Sequence, residues 1–156
     1  IHRDIKPSNI MRRSSDSSFV LLDFGIAFDL IDISLTLNHS LLGTPGYYSP
    51  EQIDFANRRN KLDFRSDLFS LGIVMYCATT LHHPFIDPTS RRSIEDICNR
   101  ILYFEPSPPS HYRKEIPKEY DAIIMRLLQK RPHLRYRNWA KLDTDFELLK
   151  AALTGG

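Results

Sequence analysis

The sequence predicts an α+β fold that is mainly helical, with a short hairpin near the N-terminus and helices after it. Three observations carry this expectation. Two apolar runs flank a polar, serine-rich turn before Asp23, which reads as two strands and a tight connection. Apolar residues then recur at helical spacing through the second half. An apolar fraction of 42% beside 26% charged residues fits a globular domain with its own core and speaks against a disordered or fibrous chain.

The elements follow in order. Asn9-Ile10-Met11 and Phe19-Val20-Leu21-Leu22 enclose Arg12 to Ser18, so a hairpin is expected. Residues 29–42 alternate Ile and Leu with polar residues and carry no turn signal, which leaves strand and loop both open. Gly43-Thr44-Pro45-Gly46 is a tight loop. Ser49-Pro50-Glu51-Gln52 reads as a helix start: a hydroxyl cap, proline in the first turn and an acid after it. Asp63 to Thr80 has no internal proline, offers Asp63 or Ser66 as a cap, and is apolar on most sides. It is expected to be a buried central helix. Further helices are expected from Ser90 to Leu102, from Lys118 to Gln129 and from about Asp143 to Leu153. Phe104 to Pro117 holds four prolines and is expected to be irregular.

Several function classes lose support from bulk properties. A net charge of +2 gives no argument for a nucleic-acid partner. The cluster Arg126, Lys130, Arg131, Arg135, Arg137 has only Tyr136 as an interleaved aromatic, so a solvated helix end with one structural arginine is the better reading. Cys77 and Cys98 form neither a disulfide framework nor a zinc spacing, which suits a reducing, cytoplasmic compartment. The longest mainly apolar stretch, Leu68 to Ala78, is interrupted by Ser70 and Gly72. It falls short of the roughly 20 residues that span a bilayer, so no membrane segment is expected within the chain. The first residue is Ile1 rather than Met, so the chain reads as a piece of a longer protein. Membrane anchoring elsewhere in that parent stays open.

The chemistry sits in an ordered set of motifs. His2-Arg3-Asp4 is followed by Lys6 and Asn9, then by Asp23-Phe24-Gly25, then by Ser49-Pro50-Glu51, with Gly43-Thr44-Pro45-Gly46-Tyr47-Tyr48 between the last two. Taken singly, Asp4 is a turn carboxylate, Lys6 a solvated lysine and Asn9 a turn residue. The order and spacing of all of them together carry the signal. The chain resembles the C-terminal lobe of a eukaryotic-type serine/threonine protein kinase. The wording Gly-Thr-Pro-Gly-Tyr-Tyr-Ser-Pro-Glu-Gln is most similar to the bacterial branch. Asp67-Leu-Phe-Ser-Leu-Gly72, His83-Pro84-Phe85 and Lys130-Arg131-Pro132 through Arg135 extend the resemblance.

The resemblance implies a partial kinase domain over residues 1–156: a catalytic loop at 2–9, an activation segment at 23–51 and a helical subdomain at 52–153. It implies transfer of the ATP γ-phosphate to a protein serine or threonine. Asp4 would orient the acceptor hydroxyl and take its proton. Lys6 would face the transferring phosphate, and Asn9 and Asp23 would supply oxygen ligands to Mg²⁺. Gly25 would permit the backbone twist that aims Asp23. Thr44 would shape the substrate loop. His2 and Asp67 would support the catalytic loop, and Glu51 and Arg135 would form a buried ion pair. Arg3 would meet a phosphate on the activation segment, with Thr36 the first candidate and Ser40 another. Phe69 and Ser49 replace the family's usual Trp and Ala.

The chain carries no glycine-rich loop, strand lysine, partner glutamate or hinge. The N-terminal lobe is therefore expected to lie outside it, as a partner the chain needs for activity. Two other classes compete with the kinase reading. A pseudokinase scaffold commonly loses the counterparts of Asp4, Asn9 or Asp23, all present here. A small-molecule phosphotransferase of similar fold lacks the Gly-Thr-Pro-Gly-Tyr and Ser-Pro-Glu segments.

Overall fold

The computed structural model describes residues 1–22, 45–54, 62–87 and 93–155. Among these, the fold is mainly helical with one small antiparallel sheet. A 3₁₀ turn at Pro7–Asn9 leads into β1 (Ile10–Arg12), which pairs with β2 (Phe19–Leu21) in the register Ile10↔Leu21, Met11↔Val20, Arg12↔Phe19. The connection closes because Asp16 Oδ1 accepts from the Ser18 amide and hydroxyl, while Ser17 takes a left-handed φ of 59°.

Among the described residues five α-helices follow: α1 (Pro50–Ile53), α2 (Phe64–Thr80), α3 (Ile94–Tyr103), α4 (Lys118–Leu127) and α5 (Trp139–Thr154). Asp63, not Ser66, caps α2, accepting from the Arg65 amide at 2.8 Å. The helix after it starts at Ser93, where a reciprocal box with Asp96 fixes the N-terminus, rather than at Ser90. The last helix starts at Trp139 instead of near Asp143, because Asn138 Oδ1 caps the Lys141 amide at 2.9 Å. The proline-rich connection between α3 and α4 contains one 3₁₀ turn, Pro109–His111. Its position is set by Asp121 of α4, whose Oδ1 accepts from the Ser110 amide.

The core forms around α2. Leu68, Phe69, Ile73 and Tyr76 pack with Phe85, Ile101 of α3 and Ile123, Ile124 and Leu127 of α4. Burying each such side chain contributes about 1.5–3 kcal/mol. α2 and α4 approach closely at Gly72, where a Cβ would lie 2.8 Å from Leu127 Cβ. The helix is not buried on every side: Leu71, Val74 and Met75 are half-buried and Ala78 is exposed.

α2 ends on Leu81, which adopts a left-handed conformation (φ 61°, ψ 15°) and returns its N–H to the Cys77 carbonyl. The side chain is 85% exposed, so it gains almost no packing in return for that strain. A left-handed residue with a Cβ costs about 1–2 kcal/mol, and glycine would give back part of that through unfolded-state entropy. Leu81→Gly is therefore expected to stabilise the fold by about 0.5–1 kcal/mol, raising the midpoint of a thermal melt by about 2 °C. A lower midpoint would show that the exposed leucine contributes more than its surroundings suggest.

Candidate active site

The segment Ile1–Asn9 is held from below by a helix. Both carboxylate oxygens of Asp67, near the start of α2, accept backbone N–H groups: Oδ2 from His2 and Oδ1 from Arg3, each at 2.8 Å. Asp67 is 5% exposed, so these charge-assisted bonds form away from water, where they are strongest. They hold Arg3 at φ 70°, a left-handed conformation that a side chain disfavours. A second restraint comes from α1, where Gln52 Nε2 donates to the Arg3 carbonyl at 2.9 Å. His2 is buried in one tautomer: Nε2–H donates to the Leu22 carbonyl at 2.9 Å, and Nδ1 accepts from the Asp4 amide.

This frame presents Asp4 in a defined pose. Its Oδ2 accepts from Lys6 Nζ at 2.7 Å and from Asn9 Nδ2 at 2.9 Å. Asn9 Nδ2 also donates to the Asp4 main-chain carbonyl at 2.8 Å. Asp4 Oδ1 has no partner among the described residues. The Asp4 and Lys6 side chains are 30% and 25% exposed, so the pair faces an accessible surface. With its nitrogen committed to Asp4, Asn9 has its amide oxygen to offer. That is the donor type a hard divalent cation takes. Asn9 thus fits a Mg²⁺ ligand. The other candidate ligand, Asp23, lies outside the described residues, as do Gly25, Thr36, Ser40 and Thr44.

The loop Pro45–Tyr48 sits beside this site. The Tyr47 carbonyl accepts from Ser70 Oγ of α2 at 2.7 Å, and α3 packs against Pro45–Tyr47 and α1. α1 begins where the Gln52 side chain folds back to accept from the Ser49 amide at 3.0 Å. Glu51 and Arg135 meet in a bidentate pair at 2.7 and 2.9 Å with 2% and 0% side-chain exposure. Arg135 also donates to the carbonyls of Arg65, Gln129 and Lys130. All five guanidinium N–H groups are thereby engaged. Burial alone would raise the Glu51 carboxyl, but the hydrogen bonds and charge of Arg135 outweigh it and hold it below its ordinary value.

Arg135 is one of three members of the basic cluster in the second half with such a local role. Arg126 stacks over the Tyr136 ring at 4.2 Å, and Lys130 Nζ donates to the Ile101 carbonyl at the end of α3. In the sequence Gln52 falls in a helix start, Ser66 is a possible cap and His83 lies within a family-like segment, but none of them was given a site role; Ser66 in fact donates to Glu51 at 2.8 Å. The capping-box position of Gln52 was the one local signal that pointed to any of them.

The chain belongs to the protein kinase domain family, whose match covers residues 1–146. Its relatives are bacterial serine/threonine kinases. It is 37% identical over 147 residues to the serine/threonine-protein kinase PknB of Mycolicibacterium smegmatis, covering 93% of this chain and 22% of that protein. It is 34% identical over 149 residues to the probable serine/threonine-protein kinase SCO3848 of Streptomyces coelicolor, covering 94% and 21%. With the probable kinase CE0033 of Corynebacterium efficiens it shares 35% over 155 residues, covering 96% and 22%. The chain thus spans about a fifth of the length of these relatives. Family membership implies, in general terms, ATP, Mg²⁺ and a protein substrate. Among the described residues, no helix is long and apolar enough to cross a membrane.

Proposed function

We propose that this chain is the C-terminal lobe of a cytoplasmic serine/threonine protein kinase, transferring the ATP γ-phosphate to a protein hydroxyl. One observation supports this above the others. The Asp4 carboxylate is anchored through Oδ2, by Lys6 and Asn9, and its second oxygen meets no partner among the described residues. A carboxylate fixed in that way orients an acceptor hydroxyl and takes its proton as the O–P bond forms. Lys6 supplies a mobile point charge within reach of the γ-phosphate oxygens. Bound with ATP, Mg²⁺ would neutralise phosphate charge, and Asn9 and Asp23 are the residues that would hold it. Lys6 in this position and Thr44 ahead of Ser49-Pro50-Glu51 support serine or threonine over tyrosine as acceptor. The co-occurrence of Asp4, Lys6 and Asn9 in one hydrogen-bonded unit supports catalysis over a scaffold role.

The residues that cover the nucleotide are supplied, in this reading, from outside the 156. The test compares two proteins with labelled ATP, Mg²⁺ and a serine- or threonine-containing protein substrate. The full-length gene product is expected to transfer phosphate, and the 156-residue chain alone is expected to transfer none above background. Transfer by the isolated chain would overturn the lobe assignment, and no transfer by the full-length product would overturn the kinase reading.

A further inference from the structure

The turn after α2 sets one histidine against the substrate loop. Phe85 and Ile86 each donate a backbone N–H to His83 Nδ1 at 3.1 Å. A ring nitrogen that accepts carries no proton, so Nε2 bears the hydrogen. Among the described residues that buried Nε2–H meets no acceptor at full hydrogen-bonding geometry, although the Gly46 backbone lies close enough to act on it. Buried donors are normally paired, so an orphan donor needs an explanation.

The group it faces is the backbone of Gly46. A Cβ there would lie 3.2 Å from Nε2 and 2.8 Å from Ile86 Cδ1, so a side chain at this position would crowd the imidazole and displace the tip of Ile86. The Tyr47 ring meets the imidazole edge-on, with centroids 5.5 Å apart and planes at 78°. Burial holds the His83 pKa down at about 4, with hydrogen bonding toward the Gly46 backbone acting in the opposite direction. The ring is therefore a neutral donor near pH 7. On its other sides the loop is tied down, through Ser70 to Tyr47 and through Gln52 to Arg3, the neighbour of Asp4. A small movement of Gly46 toward the ring is the motion that would close the open bond.

We propose that His83 is a positioning residue for the substrate loop: its Nε2–H latches the Gly46 carbonyl when a peptide engages residues 45–48, fixing that loop relative to Asp4. The proposal rests on the kinase reading above and assigns His83 no contact with the reacting atoms.

Asparagine separates the latch from the turn. In full-length His83→Asn, Oδ1 still accepts from Phe85 and Ile86, but no donor reaches Gly46. His83→Ala loses both functions. The variant His83→Asn is expected to raise the peptide KM roughly tenfold, the worth of one hydrogen bond, with the ATP KM and the melting midpoint unmoved. Hydrogen exchange at residues 45–48 is expected to slow on peptide addition in the wild type and not in His83→Asn. A wild-type peptide KM and wild-type exchange in His83→Asn would overturn the latch. So would a peptide KM, ATP KM and melting midpoint that all shift together, which is the pattern of a structural role. Exchange is read without turnover. A wild type that phosphorylates nothing would thus defeat the kinase reading while the exchange difference still decides the role of His83.

Discussion

Asp4→Asn is expected to lower kcat of the full-length protein at least about 100-fold, and up to about 10⁴-fold, the range that a positioned proton acceptor contributes. Asparagine keeps the shape of the side chain and can still place an oxygen toward Asn9 and Lys6. It removes the charge and basicity that the carboxylate would offer to an acceptor hydroxyl in the proposed reaction. The change should leave the fold intact. Asp4 and Lys6 are both partly exposed, so water can resolvate the lysine, and the Asp67 bonds to the loop involve the backbone. The check is a steady-state measurement beside a thermal melt, with the ATP KM staying within a factor of about two. A variant that retains a tenth or more of wild-type kcat would remove Asp4 from the proposed chemistry.

The largest expected stability effect is at Arg135. Removing one partner of a buried ion pair leaves an uncompensated charge and costs about 3–5 kcal/mol. Against the 5–15 kcal/mol that holds a typical domain together, that is a large share. Arg135→Ala strands Glu51 and also the carbonyls of Arg65, Gln129 and Lys130. Arg135→Lys keeps the charge but loses the planar fork, and is expected to recover less than half of the loss. Acid should weaken the same link. The folded-state pKa of Glu51 is depressed, so its contribution is full above the ordinary value of 4.5 and is lost as pH falls through the lower folded value. Denaturant midpoints across pH 3–6 should thus converge for wild type and Arg135→Ala at the acid end. Equal midpoints for the two proteins at pH 7 would show that the pair contributes nothing net.

Local signals carried the secondary structure well. The serine-rich turn gave the hairpin, and the absence of proline from Asp63 to Thr80 gave the central helix. Where boundaries moved, a competing cap decided them: Ser93 with Asp96 in place of Ser90, and Asn138 in place of a start near Asp143. Tertiary partners were less legible. Gln52 and the Arg3 carbonyl lie far apart in sequence, as do Ser66 and Glu51, and no periodicity encodes such a meeting. Asp67, Glu51 and Arg135 came into view only through resemblance to a known family. By composition, each is an ordinary charged residue that would be placed on the surface. His83 fell within the resemblance as part of His83-Pro84-Phe85, but no role came with it, because one histidine beside a proline has no distinctive spacing. Its meaning comes from the neighbouring Gly46 backbone.

The two bonds from Asp67 to the amides of His2 and Arg3 have a consequence for transplantation. The shape of the proposed catalytic segment depends on a carboxylate that lies on another element, inside the core. A peptide spanning Ile1–Asn9, grafted onto a foreign scaffold, would carry the reactive side chains without the geometry that makes them useful. Arg3 would relax out of its left-handed conformation. The smallest portable unit takes in the loop, the helix that bears Asp67 and the α1 turn that bears Gln52, so the segment is shaped only as that part of the core forms.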